Sequence, residues 1–467
     1  MNFRAQADKK QMMKTDVVIL AAGQGSRMKS ALPKVMHRLA GKPMLQHVID
    51  RARLLEPEAL HVVIGHGGEQ VEQAMNGQAV NLVWQREQLG TGHAVAQAMP
   101  QIDKDSVVLI LYGDVPLTRP ETLQQLTRIA VEGDLGLLTV NLQDPTGYGR
   151  IIRNEAGDVV AIVEHKDATE QQHLIKEVNT GILALKADAL HQWLPRLSAD
   201  NAQGEYYLTD VIAMAASEGV RVRAIQPQAE QEVQGVNNRQ QLAQLERWYQ
   251  RQLADELMAG GVTLADPARI DIRGELKAGR DVLIDINCVF EGEVELGEGV
   301  EIGPNCLLRN AVIGAGCHIE ANSVIDGTIV GQNAQIGPFA RLRPGTELAD
   351  EGKIGNFVET KKARIGKGSK VNHLTYIGDA EIGQAVNVGA GTITCNYDGV
   401  NKSLTRIGDG AFIGSNSSLV APVEIGAGAT VGAGSTLTKK VADNQLAVAR
   451  GKQINIDNWA RPQKKES

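Results

Sequence analysis

A repeated pair of residues constrains the second half of this chain more than any other feature of its sequence. Between about Asp281 and Leu437, an aliphatic residue followed by glycine returns at hexapeptide spacing, as in Ile302-Gly303, Ile336-Gly337 and Ile413-Gly414. Self-similarity at this period is typical of a parallel β-helix, whose repeats each supply one aliphatic side chain to the interior and one glycine to a turn. One coil cannot bury its own apolar side, so stacked coils must supply the core.

The repeat also reserves a place for a small side chain, four residues after the aliphatic one. We expect small buried residues at Cys306, Cys317, Ala340, Ser369, Val386, Thr392, Ala411, Ser417, Ala429 and Ser435. Cys288 occupies an equivalent place, and the cysteine spacing matches no zinc motif. Packing, rather than a disulfide or a metal site, is therefore the interpretation for these thiols.

The hexapeptide register is broken at two places. One break runs from Pro344 to Lys353 and the other from Asn396 to Thr405. We interpret both as loops that project from the stack, where functional residues tend to lie.

Composition limits the class of protein. A chain of 467 residues is too long to fold around a single hydrophobic core. Its 50 glycines and its low aromatic content of 3% are typical of a solenoid. A net charge of −7 without a dense Lys/Arg run argues against nucleic acid as a partner. No apolar run is long enough to span a bilayer, and the segment Val17 to Ala22 is too short for a signal peptide, so a cytoplasmic enzyme is expected.

The first half begins with an apolar run followed by glycines. Asp16 to Ala22 reads DVVILAA, which is typical of a buried parallel strand, and Gly23 to Met28 follows as a loop. A strand followed by a glycine loop and a helix would form a phosphate-binding arrangement. The Rossmann pattern is incomplete, however, because Met28 stands where its third glycine would be. Arg27 and Lys34 bracket the loop and can neutralise a triphosphate.

Further apolar runs alternate with helical segments, at His61 to Gly67 and at Ser106 to Pro116. This order predicts a Rossmann-like α/β domain with a mostly parallel sheet covered on both faces. Asp114 follows one strand at its carboxyl end, where ligands bind in such sheets. Its local sequence fits either a ligand of Mg²⁺ or a cap of the following helix.

The run from Leu20 to Lys34, LAAGQGSRMKSALPK, resembles the signature of the sugar-phosphate nucleotidyltransferases. With the repeat tract, the chain from about Asp16 to Arg450 resembles the bacterial enzymes that combine N-acetylglucosamine-1-phosphate uridyltransferase with glucosamine-1-phosphate acetyltransferase. The resemblance implies a left-handed β-helix, a homotrimer and acetyltransferase sites between subunits. It also implies transfer of acetyl from acetyl-CoA to glucosamine 1-phosphate, then of uridylyl from UTP with release of pyrophosphate, for cell-wall precursors.

For the first half, the resemblance implies Mg²⁺ on Asp114 and Asn237. The attacking sugar phosphate is already anionic, so alignment and neutralisation by Mg²⁺, Arg27 and Lys34 suffice. Nucleotide and sugar contacts are implied at Leu20, Ala21, Ala22, Gly23, Lys34, Gln85, Gly90, Thr91, Tyr112, Gly113, Asp114, Gly149, Glu164, Asn179 and Asn237. We assign structural roles to His93 and His165, which lie beside these motifs.

For the second half, the amine of glucosamine 1-phosphate must lose a proton before it attacks a thioester, and histidine is suited to accept it. The repeat tract contains His318 and His373, and the VNHLTY run around His373 resembles the family's acetyltransferase motif. The resemblance implies His373 as the base and sugar-phosphate contacts at Arg343, Lys361, Tyr376 and Asn387. It implies acetyl-CoA contacts at Ala390, Asn396, Tyr397, Ser415, Ala433 and Arg450.

We expect five segments along the chain. They are an extension at 1–15 expected to be disordered, a uridyltransferase domain at 16–239, a linker helix at 240–262, an acetyltransferase β-helix at 263–450 and a tail at 451–467. Two other interpretations remain open. The chain could be a monofunctional sugar-1-phosphate nucleotidyltransferase whose β-helix only regulates or scaffolds, or a binding module with a vestigial front domain.

Overall fold

The computed structural model describes residues 14–464, and the chain splits between Tyr249 and Gln250 into two compact units. Of the predicted N-terminal extension, residues 1–13 lie outside the described residues, and Thr15 already belongs to the first strand. Within residues 14–464, no helix combines the length and apolarity that crossing a membrane requires.

The first unit is built on a mixed sheet. Its strands are β1 (Thr15–Leu20), β2 (Ala59–Ile64), β3 (Asn81–Trp84), β4 (Val107–Tyr112), β5 (Leu135–Asn141), β6 (Arg150–Arg153), β7 (Val159–Val163), β8 (Glu177–Lys186) and β9 (Val222–Ile225). The central order is β9-β5-β8-β4-β1-β2-β3, and β8 alone on this path runs antiparallel to its neighbours. The predicted mostly parallel sheet is therefore confirmed. A small hairpin pairs Arg38–Leu39 with Lys42–Pro43.

Helices cover both faces of this sheet. The helices that pack on one face are α1 (Met44–Arg53), α2 (Gly68–Met75) and α4 (Pro120–Val131), and those on the other face are α3 (Thr91–Ala98), α6 (Ala187–Trp193) and α7 (Asp210–Ser217). The short helix α5 (Glu170–His173) buries no residue, and α8 (Arg239–Ala259) continues into the second unit. Alternate side chains of β1 enter two separate cores, because successive residues of a strand point to opposite faces. Val17 and Ile19 pack in the core that contains Leu45 of α1, whereas Val18 packs in the core that contains Val95 of α3.

The loop after β1 differs from its prediction. No α-helix follows the glycines; a 3₁₀ turn at Ser26–Met28 does, and the first α-helix begins at Met44. Gly25 has a φ of +61°, and a Cβ there would lie 2.6 Å from the Cβ of Lys34. The glycine therefore lets the loop fold back against Lys34. Because no α-helix begins at this loop, no helix dipole is available to bind a phosphate here.

The second unit is a parallel β-helix with two long sheets. The eleven-stranded sheet contains Thr263–Leu264, Leu283–Ile284, Glu301–Ile302, His318–Ile319, Gln335–Ile336, Lys353–Asn356, Lys370–His373, Asn387–Val388, Phe412–Ile413, Thr430–Val431 and Leu446–Ala447. The fourteen-stranded sheet contains Ile270–Ala278, Cys288–Leu296, Leu307–Ile313, Val324–Asp326, Thr328–Val330, Arg341–Leu342, Thr346–Leu348, Glu359–Ile365, Tyr376–Ile382, Ile393–Cys395, Thr405–Ile407, Ser418–Val420, Val423–Ile425 and Thr436–Leu437. These stacked parallel coils agree with the predicted left-handed β-helix.

The register of the coils follows the hexapeptide pattern. Ile302, Ile319 and Ile336 stand opposite one another on successive coils and are buried, as the repeat predicts. The predicted small residues from Cys306 to Ser435 are buried as well. Each coil thus adds one layer of aliphatic side chains to a continuous interior.

The two predicted loops have different outcomes. Pro344 to Lys353 does not project, because Leu348 pairs with Val330 and the segment forms strands in register. Thr346 fills the interior place there, and its Oγ1 donates to the Arg343 carbonyl oxygen at 2.8 Å. Asn396 to Thr405 is confirmed as an insertion, since Val388 pairs directly with Ile413 across it.

All four cysteines are free, which confirms the packing interpretation over a disulfide. Cys288, Cys306 and Cys317 are buried, and their thiols donate to backbone carbonyl oxygens of Gly303, Glu320 and Gly331 at 3.2, 3.3 and 2.9 Å. Burial raises the pKa of Cys288 to about 12 and that of Cys306 to about 11. Cys395 is half-buried.

We expect a thiol reagent at pH 8 to modify Cys395 in the folded protein and to leave the other three cysteines unmodified. Reactivity requires an accessible thiolate, and burial denies the other three both access and ionisation. A count of modified thiols by mass spectrometry, before and after denaturation, measures this. Rapid modification of Cys288 in the folded state would contradict the packing.

Candidate active sites

The first unit contains a cleft of about 570 Å³ at the carboxyl ends of β1 and β4. Eleven predicted residues line it: Leu20, Ala21, Ala22, Gly23, Lys34, Gln85, Gly90, Thr91, Tyr112, Asp114 and Asn237. The strands fix this edge, because Gly113 N donates to the Leu20 carbonyl oxygen at 2.9 Å and Ala21 N to that of Val63 at 2.8 Å.

Charged and amide groups meet on one wall of this cleft. Lys34 Nζ donates to Asp114 Oδ2 and, at 3.3 Å, to Asn237 Oδ1. Arg27 is exposed and does not line the cleft itself, but its Nη2 donates to the same Asn237 oxygen at 2.9 Å. The Lys34 and Asp114 side chains are only 16% and 14% exposed, so their charges are weakly screened by water.

The oxygens of Asp114 and Asn237 suit a hard divalent cation. Mg²⁺ is typically held by one or two carboxylates together with substrate phosphates and water. Within residues 14–464, no three His, Cys, Asp or Glu side chains converge as a complete metal site. A cation here would therefore take its remaining ligands from the nucleotide and from water.

Gln85 is a buried residue of the cleft lining. Its Nε2 donates to the Gly90 carbonyl oxygen at 3.1 Å and lies 3.1 Å from His93 Nδ1, consistent with the structural role assigned to His93. Gly90 has a φ of +113°, and a Cβ there would lie 2.6 Å from the Tyr206 carbonyl oxygen. Thr91 Oγ1 accepts from Leu208 N at 3.1 Å.

Gly149, Glu164 and Asn179 do not line the cleft, but they lie close to one another. Asn179 N donates to the Gly149 carbonyl oxygen at 2.9 Å, and a Cβ on Gly149 would lie 3.3 Å from Glu164 Oε1. Burial raises the pKa of Glu164, whose Oε1 accepts from Thr209 Oγ1 at 3.1 Å. Burial also raises the pKa of Tyr112, which lines the cleft, and the negative charge of Glu164 raises that pKa further. Glu164 therefore lies close enough to the cleft to interact electrostatically with one of its lining residues.

His165 is half-buried beside these residues. Its ring packs edge-on against His173 at 4.7 Å, and its Nδ1 lies 3.4 Å from Arg150 Nη2. These contacts are consistent with the structural role assigned to it.

Sequence reasoning missed part of the cleft. The additional lining residues are Gln24, Val35, Gln88, Ala94 and Glu205. Glu205 belongs to a segment that is distant in sequence from the rest of the lining. A hydrogen bond from Tyr206 N to the Leu89 carbonyl oxygen, at 2.8 Å, holds this segment in place. No local motif marks such a residue.

The second candidate site lies along one corner of the β-helix. His373, Ala390, Ser415 and Ala433 occupy equivalent positions on successive coils, just before the corner. Their carbonyl oxygens accept from Gly391 N, Asn416 N, Gly434 N and Arg450 Nη1 at 3.3, 2.7, 2.8 and 2.8 Å. The predicted base and four of the predicted acetyl-CoA contacts therefore form one column.

The β-helix unit also contains a cluster of cationic side chains. The pKa of Lys361 is lowered by its contact with the Lys402 amine and by the charges of Lys402 and Arg343, since neighbouring cations disfavour the charged form. Arg343 Nη1 also donates to Glu359 Oε1 at 2.8 Å. Concentrated positive charge of this kind suits a phosphate. Lys402, on the inserted loop, is a member that the sequence analysis missed.

The remaining predicted residues lie on the coils and on the inserted loop. The ring of Tyr376 lies against Gly378, where a Cβ would be 2.4 Å from the tyrosine hydroxyl oxygen. Asn396 Nδ2 donates to Asp379 Oδ2, and Tyr397 lies exposed on the inserted loop. Asn387 pairs with Lys370 on the preceding coil.

Comparisons with known proteins match the chain along most of its length. Residues 17–191 match the family of MobA-like NTP transferase domains, residues 272–358 the GMPPB C-terminal domain, and residues 404–439 the bacterial transferase hexapeptide (six repeats). The bifunctional protein GlmU of Marinobacter nauticus is 64% identical over 96% of this chain and 99% of its own. That of Idiomarina loihiensis is 62% identical over 97% of this chain and 100% of its own. A solved UDP-glucose pyrophosphorylase complexed with UDP-glucose covers 51% of this chain and 100% of its own, at 18% identity and a TM-score of 0.43.

Proposed function

The chain belongs to the GlmU family of bifunctional proteins. We propose which of its two units catalyses each of the two transfer reactions. It is a bifunctional transferase that acetylates glucosamine 1-phosphate and transfers uridylyl to N-acetylglucosamine 1-phosphate. We assign uridylyl transfer to the first unit and acetyl transfer to the second. The product, UDP-N-acetylglucosamine, serves cell-wall synthesis.

The observation that carries the first assignment is the meeting of Lys34, Asp114 and Asn237 in the lining of the cleft, with exposed Arg27 bonded to Asn237 from outside that lining. A phosphate oxygen of the sugar attacks the α-phosphorus of UTP, and pyrophosphate leaves. The attacking oxygen is already anionic, so the protein needs no base; it aligns the two phosphates and neutralises their charge. Lys34 and Arg27 supply cationic donors for this purpose.

The family requires a metal ion, which we propose to be Mg²⁺ held by Asp114 and Asn237. When bound, such an ion offsets the negative charge that the two substrates bring together. Gln85, Gly90 and Thr91 are proposed to read the uracil. Gly149, Glu164 and Asn179 are proposed to hold the sugar beside the cleft.

Acetyl transfer is proposed for the corner column of the β-helix. His373 takes a proton from the ammonium group of glucosamine 1-phosphate, and the free amine then attacks the thioester carbonyl carbon of acetyl-CoA. An amide bond forms, the carbon–sulfur bond breaks and CoA leaves as its thiol. Arg343 and Lys361 would bind the sugar phosphate with help from Tyr376 and Asn387, and acetyl-CoA would lie along the acetyl-CoA contacts predicted above.

The full-length identity to bifunctional relatives disfavours the alternative of a β-helix that only scaffolds. From the family we further propose a homotrimer. The cytoplasm, which supplies UTP and acetyl-CoA, is the proposed location.

Assays of the two half-reactions test this function. We expect pyrophosphate from UTP and N-acetylglucosamine 1-phosphate, and CoA from acetyl-CoA and glucosamine 1-phosphate. Chelation with EDTA should abolish pyrophosphate release and leave CoA release unchanged, because only the first site uses a metal. Restoration by added Mg²⁺ is the control, and pyrophosphate release that persists in EDTA would contradict the assignment of Asp114 and Asn237.

A further inference from the structure

The ring of His373 has a side-chain partner that the proposed mechanism has not used. Asn356 stands directly opposite His373 where strand Lys353–Asn356 pairs with strand Lys370–His373. Asn356 Oδ1 lies 2.7 Å from His373 Nδ1, which is a short distance for a hydrogen bond between neutral groups. The ring is therefore held from the preceding coil.

The backbone keeps these two side chains aligned. Asn356 and His373 hold the same position in consecutive coils, and the residue after each, Phe357 and Leu374, turns the corner at a φ of +55° and +48°. The coils also approach closely here, since a Cβ on Gly355 would lie 1.9 Å from the Asn372 carbonyl oxygen. The backbone therefore places the two side chains side by side, although His373 is exposed.

The chemistry of the contact decides which nitrogen of His373 is free. An amide oxygen only accepts hydrogen bonds, so the nitrogen that faces it must carry the proton. With the proton on Nδ1, the lone pair of a neutral imidazole is on Nε2, which can then accept a proton from the substrate. The same bond persists in the imidazolium, because Nδ1 keeps its hydrogen throughout.

We infer that Asn356 is a positioning residue for acetyl transfer: its side-chain oxygen fixes the tautomer and orientation of His373 and so keeps Nε2 available as the base. The inference rests on the proposed role of His373. A third group that orients a catalytic histidine is a recurrent arrangement, and a neutral amide does so without adding charge.

The charged groups around the pair determine how a pH profile would respond. Lys353 and Lys370 lie in the two paired strands, and Glu359 follows the corner with its carboxylate held by Arg343 at 2.8 Å. Asn356 itself is uncharged. A carboxylate at position 356 would therefore add a new negative charge directly at His373 Nδ1.

The test compares Asn356→Ala with Asn356→Asp by kcat and KM for CoA release across pH. We expect Asn356→Ala to lower kcat about 10- to 100-fold, part of the ~10²–10⁴-fold that a positioned base contributes, with KM for glucosamine 1-phosphate unchanged. Asn356→Asp keeps an acceptor and should recover most of kcat. Its charge favours the imidazolium, so the histidine pKa rises and the acidic limb of the profile moves to higher pH.

A matched control uses the other histidine of the β-helix. His318 Nδ1 contacts Glu301 Oε2 across coils at 3.0 Å, so Glu301→Ala removes an equivalent partner away from the site and should leave kcat unchanged. Equal losses in Glu301→Ala and Asn356→Ala would overturn the inference, as would a wild-type kcat and profile for Asn356→Ala. Full acetyl transfer by His373→Ala would instead overturn the proposed function, which separates the two failures.

Discussion

Replacing His373 with alanine is expected to lower kcat for CoA release by about 10²–10⁴-fold, the usual contribution of a general base. Pyrophosphate release from UTP and N-acetylglucosamine 1-phosphate should not change, because the uridylyl site is in the other unit. Without the imidazole, no positioned base removes the proton of the bound ammonium group, so only the small fraction of substrate that is already deprotonated can attack the thioester. Initial rates of both half-reactions on one preparation measure this.

His318→Ala is the matched control, since it removes the other histidine of the β-helix from an exposed contact with Glu301. It should retain both activities. Equal loss of CoA release in the two variants would mean that ring removal damages the coils and not the chemistry. Retention of CoA release by His373→Ala would refute the assignment of the base.

Replacing Asp114 with asparagine is expected to lower kcat for pyrophosphate release by about 10²–10³-fold, in line with the loss of one preorganised electrostatic group. The substitution removes the carboxylate that Lys34 contacts and that we propose as the metal ligand. It nearly preserves the volume of the side chain, so the fold should persist. CoA release should be unaffected, and its rate on the same preparation is the internal reference.

Asp188→Asn is the control for this substitution, because Asp188 is exposed on α6 and contacts only Gln192 Nε2, at 2.9 Å, among the side-chain hydrogen bonds of the described residues. Its kinetics should match those of the unmodified protein. Raising the Mg²⁺ concentration should partly rescue Asp114→Asn if the residue binds the metal. Unchanged pyrophosphate release in Asp114→Asn would exclude it from the site.

The hexapeptide pattern predicted much of the fold, because in a β-helix the period of the sequence repeat corresponds to the length of one side of each coil. Ile302, Ile319 and Ile336 stack as the repeat requires. The pattern failed where other residues replace the repeat signal: Thr346 continues the coil through a hydroxyl hydrogen bond that no hexapeptide rule contains. It failed likewise at Gly25, whose left-handed conformation folds the loop back where a helix was expected.

The candidate sites show the same limit. Residues in recognisable motifs, such as Lys34 and Asp114, meet in the cleft. Glu205 and Lys402 reach their sites only through folding over long sequence separations, and nothing in their neighbouring residues marks them. Asn356 becomes meaningful only when the coil spacing is known, because it meets His373 across a whole turn of the helix.

The most direct test of a chain that performs both reactions is a single time course. Purified protein is mixed with glucosamine 1-phosphate, acetyl-CoA, UTP and Mg²⁺, and CoA and pyrophosphate are followed separately in the same sample. We predict release of both, with pyrophosphate lagging behind CoA because uridylyl transfer needs the acetylated sugar. Pyrophosphate release from supplied N-acetylglucosamine 1-phosphate, without any CoA release from glucosamine 1-phosphate, would contradict the account and leave the β-helix without its proposed chemistry.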